Sequence, residues 1–374
     1  MKISQFEPFV GMDEYDAIRE CFETNWLTEG PKSKLFSEKL LKLIGAKYGV
    51  FAQNGTVALY LGLRAMGIGP GDEVIVPNFT FIASANAVEM CGAKPVFVDI
   101  DRETFQMNVD DCDRVKNSKT KAIMPVHIFG LSANMNKIME YARKNGLKVI
   151  EDAAQAIGVN WGGKHCGTFG EVGCFSFFAD KTITTAEGGF VVTDDKEIYE
   201  NMLYLRNQGR LNRGTFKHPE IGYNFRITDI QAAIGLVQIK KLDLIISRKQ
   251  KILNFYEKEL ENLDSVRILK PRDKSNHVPF RVILVSSEPI EKLMEFMEIN
   301  SIETRSVFYP LHKQPCYQNF YDSKKMIDNK NFPESNHAYE YSLCLPSYPT
   351  LEKEKIQYIC RVIRSYYDKN TVSG

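Results

Sequence analysis

Short apolar runs alternating with helix-length segments constrain this chain more than any other feature. "EVIVP" (73–77), "PVFVDID" (95–101), "KAIMPVH" (121–127) and "KVIEDAA" (148–154) have the length and β-branched content of strands, and "NMNKIMEYARKNG" (134–146) has helical spacing between two of them. Strands this apolar are buried on both faces, so the pattern predicts a mostly parallel sheet flanked by helices. At 374 residues the chain exceeds the size at which one core usually stops growing, about 250 to 300 residues. A capping box, Thr228 to Gln231 in "TDIQAAIG", opens a long helical run over about 228–260. The expected fold is α/β, with a large domain over 1–240 and a smaller C-terminal α+β domain over 241–374 joined by that helix.

Charge and cysteine usage exclude several classes of function. The 48 basic and 47 acidic residues leave a net charge of +1 with no block of one sign, so neither nucleic acid nor a membrane surface is expected as partner. No window reaches the ~20 apolar residues of a membrane span, and "MKISQFEPFVGMDEY" lacks a signal-peptide core, which makes a cytoplasmic location the expectation. Eight scattered cysteines without a CxxC pair suit reduced thiols, and no metal site is expected. Small molecules and other protein chains remain as partners.

Three places carry candidate chemistry. Lys181 sits in the turn after the strand-like run Cys174–Phe178 in "CFSFFADKTITTAEGG", and "EGG" beyond it permits tight backbone passage. A catalytic lysine must be unprotonated or bound to a carbonyl, whereas most loop lysines are simply solvated. Asp152 ends an apolar strand, the edge at which ligands gather in such sheets, and it also fits as an N-cap for "AAQAIG". Gly55 and Thr56 open the helix "GTVALYLGL", where free N–H groups and the helix dipole suit a phosphate; an ordinary cap has the same appearance. "GIGPGD" is a turn, because the GxGxxG order of a dinucleotide loop is absent.

"NGTVALYLGL", "VPNFTFIASANAV", "EDAAQAIG", "FSFFADKTITTAEGG" and "GYNFRITDIQAAIG", in this order and spacing, resemble the DegT-type nucleotide-sugar aminotransferases, pyridoxal phosphate enzymes of fold type I. The similarity runs from about Phe6 to Tyr367. It implies that Lys181 is the Schiff-base lysine and proton carrier, and that Asp152 pairs with the ring nitrogen of pyridoxal 5'-phosphate. Gln155 would reach the ring hydroxyl, Phe81 would lie on the ring face, and Ser176 would join Gly55 and Thr56 at the phosphate. Asn224 would reach that phosphate from a neighbouring subunit, making a homodimer with a shared site. L-glutamate would donate the amine and a nucleotide-linked keto sugar would accept it.

"SFFADKTITT", "IETRSVFYPLH" and "LPSYPTL" are similar to members acting on 4-keto-6-deoxy sugars, which would give a 4-amino-4,6-dideoxy sugar for surface polysaccharide. Two positions depart from those members: Ser306 stands where proline is expected, and Ala186 where glycine is. Arg226 is a candidate clamp for the donor carboxylate or a structural ion pair, and Tyr309 and His312 are candidates for the sugar pocket. His127 follows a strand but has no defined role. Three alternatives stay open: transamination of a small keto phosphate, a cofactor-binding regulator, and a related sugar dehydratase. The last carries histidine in place of the lysine, so Lys181 argues against it.

Overall fold

The computed structural model describes residues 2–210, 216–272, 274–318 and 327–371. The strands in chain order are β1 (Tyr48–Ala52), β2 (Glu73–Pro77), β3 (Lys94–Val98), β4 (Thr120–Ile123), β5 (Lys148–Asp152), β6 (Asn160–Trp161), β7 (Lys164–His165), β8 (Val172–Ser176) and β9 (Gly189–Thr193). After the long helix come β10 (Val266–Ile268), β11 (Val282–Ser286), β12 (Arg305–Ser306) and β13 (Ser342–Leu345). Seven of them form one sheet in the order β1-β9-β8-β5-β4-β2-β3. The run β8-β5-β4-β2-β3 is parallel, and β9 alone opposes its neighbours, β1 and β8. The expected mostly parallel sheet is present.

Both faces of this sheet are buried, and successive residues divide between them with the period of two that a strand imposes. Val50, Val74, Val76, Ala122, Ile150, Cys174 and Val191 face a core closed by the helices Gly55–Ala65, Ala83–Met90 and Lys196–Arg206. Phe51, Ile75, Ile123, Val149, Phe175 and Phe190 face the opposite core, covered by Pro31–Ile44, Met135–Asn145 and the first half of Asp229–Glu259. Helices on both faces follow from strands that have no polar side to show water.

The long helix begins as its capping box requires. The Thr228 hydroxyl accepts from the Gln231 N–H (3.2 Å), and the Gln231 Oε1 accepts from the Thr228 N–H (2.9 Å). It runs from Asp229 to Glu259, and its far half carries Ile252, Leu253 and Tyr256 into a separate core under the antiparallel sheet β10-β11-β13-β12. Ile3 joins that core by pairing with Ile302. A seam of Phe79, Phe105, Val126, Phe129, Phe280, Ile283 and Val307 packs the small sheet against the ends of the large one. No helix among the described residues is long and apolar enough to cross a membrane.

Lys249, in the middle of the long helix, is buried at this seam and donates to the carbonyls of Phe280 (3.2 Å) and Ser347 (2.9 Å). Burial, aided by the Arg281 charge, lowers its pKa to about 7, while Asp180 opposes the shift. The unfolded chain therefore binds an extra proton between about pH 7 and the ordinary lysine value of 10.5, so stability rises with pH across that window. Thermal melts of the wild type and Lys249→Met should show the wild type gaining on the variant from pH 7 to 9.5. A difference that stays constant with pH would refute the shift.

Candidate active site

Several strand ends and one helix start converge on a cavity of about 410 Å³ between the large sheet and the small one. Gly55, Thr56, Phe81, Asp152, Gln155, Ser176 and Lys181 all line it, although they come from five separate segments of the chain. Such convergence at the carboxyl ends of parallel strands is where open α/β sheets bind ligands.

Asp152 is the last residue of β5 and only 6% exposed. The Ser84 hydroxyl donates to its Oδ2 (2.7 Å), the Ala154 N–H donates to its Oδ1 (3.1 Å), and Thr80 stands behind Ser84 at 3.1 Å. Burial pushes the carboxyl up, against those two hydrogen bonds and the nearby Lys181 charge. Its chain neighbour Glu151 points to the opposite face, as strand alternation demands. There Glu151 accepts from the N–H groups of Gly167 (2.7 Å), Phe169 (2.6 Å) and Gly170 (2.9 Å) and sits 3.0 Å from the His127 Nε2. The Ala133 N–H donates to Nδ1 of the same imidazole (3.1 Å), so the ring proton belongs on Nε2 and goes to Glu151. His127 is thus a scaffold residue that anchors the strand carrying Asp152.

Lys181 lies across the cavity, its Nζ 4.7 Å from the centre of the Phe280 ring. Burial lowers its pKa, opposed by Asp180 and Asp152 and reinforced by Arg281. Asp180 is engaged at once by Arg281, whose Nη2 donates to Oδ2 at 2.6 Å while Nη1 donates to the Gln5 Oε1 at 2.9 Å. Phe6 and Phe280 flank that guanidinium at 5.4 and 4.9 Å. On the same turn Ala186 takes a left-handed φ of 67°, a conformation that favours glycine. The departure at this position therefore carries a backbone cost.

The third corner is built from helix start and strand end. Asn54 caps the helix by accepting from the Val57 N–H (3.0 Å), and the first backbone turn closes from Ala58 to Asn54 (3.0 Å). The N–H groups of Gly55 and Thr56 precede that turn, so the helix itself gives them no acceptor. Ser176 ends β8 directly beside them: a Cβ on Gly55 would lie 2.8 Å from the Ser176 Cβ, so only glycine permits this approach. Gln155 is buried, and its Oε1 accepts from the Phe129 N–H (2.6 Å), leaving the amide nitrogen as the group it can offer the cavity. Phe81 is 56% exposed and tilts against Phe308 at 6.1 Å.

Four residues singled out from the sequence do not line the cavity. His312 is 1% exposed, bonded to Asn78 through Nδ1 (2.9 Å) and to Asn329 through Nε2 (3.0 Å), and stacked on Phe332. Burial lowers its pKa, and both of its ring nitrogens are occupied by protein partners away from the cavity. Tyr309 packs edge-on against Tyr339 at 5.0 Å. Arg226 donates to the Asn207 Oδ1 at 2.6 Å, and Asn224 pairs with the backbone of Asn207; both lie outside the cavity of their own chain. Sequence reading missed Arg281 and Arg305, which line the cavity through tertiary contacts alone, and Ser84, which stands behind Asp152 and donates to it.

The geometry fits one kind of group. A phosphorylated pyridine aldehyde requires an acid for its ring nitrogen, an amine for its carbonyl and N–H and O–H donors for its phosphate, and these stand at three corners of one cavity. The DegT/DnrJ/EryC1/StrS aminotransferase family profile matches residues 9–364. The chain is 40% identical over 368 residues to GDP-perosamine synthase of Escherichia coli O157:H7, covering 98% of both. It is 37% identical over 371 residues to GDP-perosamine synthase of Vibrio cholerae, covering 98% of this chain and 99% of the relative. Among solved structures it resembles the PLP-form of the putative sugar aminotransferase Spr1654 from Streptococcus pneumoniae, with a TM-score of 0.93, 26% identity and 99% of each chain covered. This chain belongs to the DegT/DnrJ/EryC1/StrS aminotransferase family and is a pyridoxal phosphate-dependent aminotransferase.

Proposed function

We propose that this enzyme moves an amino group from L-glutamate to a GDP-linked 4-keto-6-deoxy sugar, giving a 4-amino-4,6-dideoxy sugar for surface polysaccharide. Two relatives named GDP-perosamine synthase, matched over nearly their whole length, support the choice of acceptor. The observation that carries the chemistry is the opposition of the Lys181 amine and the Asp152 carboxylate across one cavity.

Pyridoxal phosphate, when bound, supplies a carbonyl carbon that accepts amines and a ring that withdraws electrons from the carbon next to the nitrogen. The residues of this chain do the rest. Asp152, oriented by Ser84 and Ala154, would hold a proton on the ring nitrogen. Ser176 with the N–H groups of Gly55 and Thr56 would bind the phosphate, and the Gln155 amide would donate to the ring hydroxyl. Phe81 would cover one face of the ring. Lys181, whose burial favours the uncharged amine, would carry a proton from the α-carbon of glutamate to the cofactor in the first half of the cycle, and from the cofactor to the sugar carbon that receives the nitrogen in the second.

Asn224 would complete the phosphate site of a second copy in a homodimer. Its absence from its own cavity and the exposed apolar neighbours Ile221 and Tyr223 support this reading. A cytoplasmic setting accords with eight free cysteines, seven of them buried.

Incubation with L-glutamate and GDP-, UDP- or dTDP-linked 4-keto-6-deoxy sugars should aminate the GDP sugar. Amination of a three-carbon keto phosphate and none of the sugars would overturn the acceptor. Asp152→Asn should cut turnover by at least about 100-fold while cofactor still binds, because a neutral amide cannot keep the ring nitrogen protonated. Undiminished turnover would remove Asp152 from the mechanism. Mixing inactive Lys181→Ala and Asn224→Ala dimers should restore about a quarter of wild-type activity, since half the dimers become hybrids with one intact site of two. No recovery on subunit exchange would mean that the site is not shared.

A further inference from the structure

Among the charged residues lining the cavity, Glu187 and Arg305 form no ion pair with any described residue, and Arg305 is the basic one of the two. Asp152 and Lys181 face the cofactor's corners, and Arg281 is occupied by Asp180 and Gln5. Arg305 lines the same cavity, is exposed, and forms no ion pair with any described residue, Glu187 on the wall included. Its backbone is fixed, because Arg305 opposite Cys344 and Ser306 opposite Leu343 make β12 an edge strand of the small sheet. A guanidinium carried into a cavity by a strand, without a carboxylate of its own, is a preformed fork for an incoming anion.

We propose that Arg305 is the anion anchor this chain supplies to its substrates, binding a carboxylate or phosphate group in bidentate fashion and so setting specificity. The inference rests on the transamination reading above. In a ping-pong cycle donor and acceptor occupy the same cavity in turn, so one guanidinium can meet a glutamate carboxylate in one half and a diphosphate oxygen in the other. Arg226 cannot take this role within its own chain, since it lies outside the cavity and donates to Asn207.

The test is calorimetric binding of glutarate and, separately, of pyrophosphate to the cofactor-loaded enzyme, for the wild type, Arg305→Gln and Arg305→Lys. Glutarate has no amine and pyrophosphate no sugar, so neither can react, and cofactor absorbance checks that each variant is equally loaded. Arg305→Gln should weaken at least one of the two ligands by about tenfold or more, and Arg305→Lys should weaken it less, because lysine keeps the charge but loses the fork. Loss of glutarate alone assigns the anchor to the donor carboxylate, loss of pyrophosphate alone to the nucleotide diphosphate, and loss of both to shared use. Unchanged affinity for both in Arg305→Gln, or no binding of either by the wild type, overturns the proposal. A wild type that aminated no nucleotide sugar would refute the acceptor while leaving this measurement decisive for Arg305.

Discussion

A buried acid and a partly buried amine that face the same cavity are the constraint on which the site depends. Desolvation acts on both but in opposite senses, raising the pKa of Asp152 and lowering that of Lys181, so that each is drawn toward its neutral form. Asp152 has compensation in the Ser84 and Ala154 hydrogen bonds, and a cationic ring nitrogen beside it would favour the carboxylate further. Lys181 has less compensation, its neighbours being two acids set against one arginine. An amine whose charged form burial disfavours is a better nucleophile and base, which is what transamination asks of a lysine.

The rest of the fold keeps that opposition rigid. Because consecutive residues of a strand point to opposite faces, the end of β5 can offer Asp152 to the cavity while Glu151 is locked behind it by three backbone N–H groups and His127. The Asp180–Arg281 pair links the lysine turn to the small domain, and Gln5 draws the beginning of the chain into the same contact. The turn that carries Lys181 is thereby held by both halves of the molecule.

Much of the large domain was legible because strands buried on both faces must be apolar runs, as in "EVIVP", where every residue is buried. Strand direction was not, since nothing in "GFVVT" says that β9 opposes its neighbours. Lys181, Asp152, Gly55 and Thr56 could be singled out because each ends or follows a strand or opens a helix, positions that local pattern reveals, whereas Ser176 was reached through the family resemblance. Arg281 and Arg305 reach the cavity, and Ser84 reaches Asp152, only through packing of distant elements, and no local pattern marks them. His312 shows the converse: its motif drew attention, but full burial between Asn78, Asn329 and Phe332 gives it a structural place.

The proposed chemistry depends on which amine meets the carbonyl carbon of the cofactor. Borohydride reduction of the enzyme loaded with pyridoxal phosphate, followed by peptide mass mapping, measures this directly. The expected result is one pyridoxyl group per chain, on the peptide carrying Lys181. A label on any other lysine, or none at all, would contradict it.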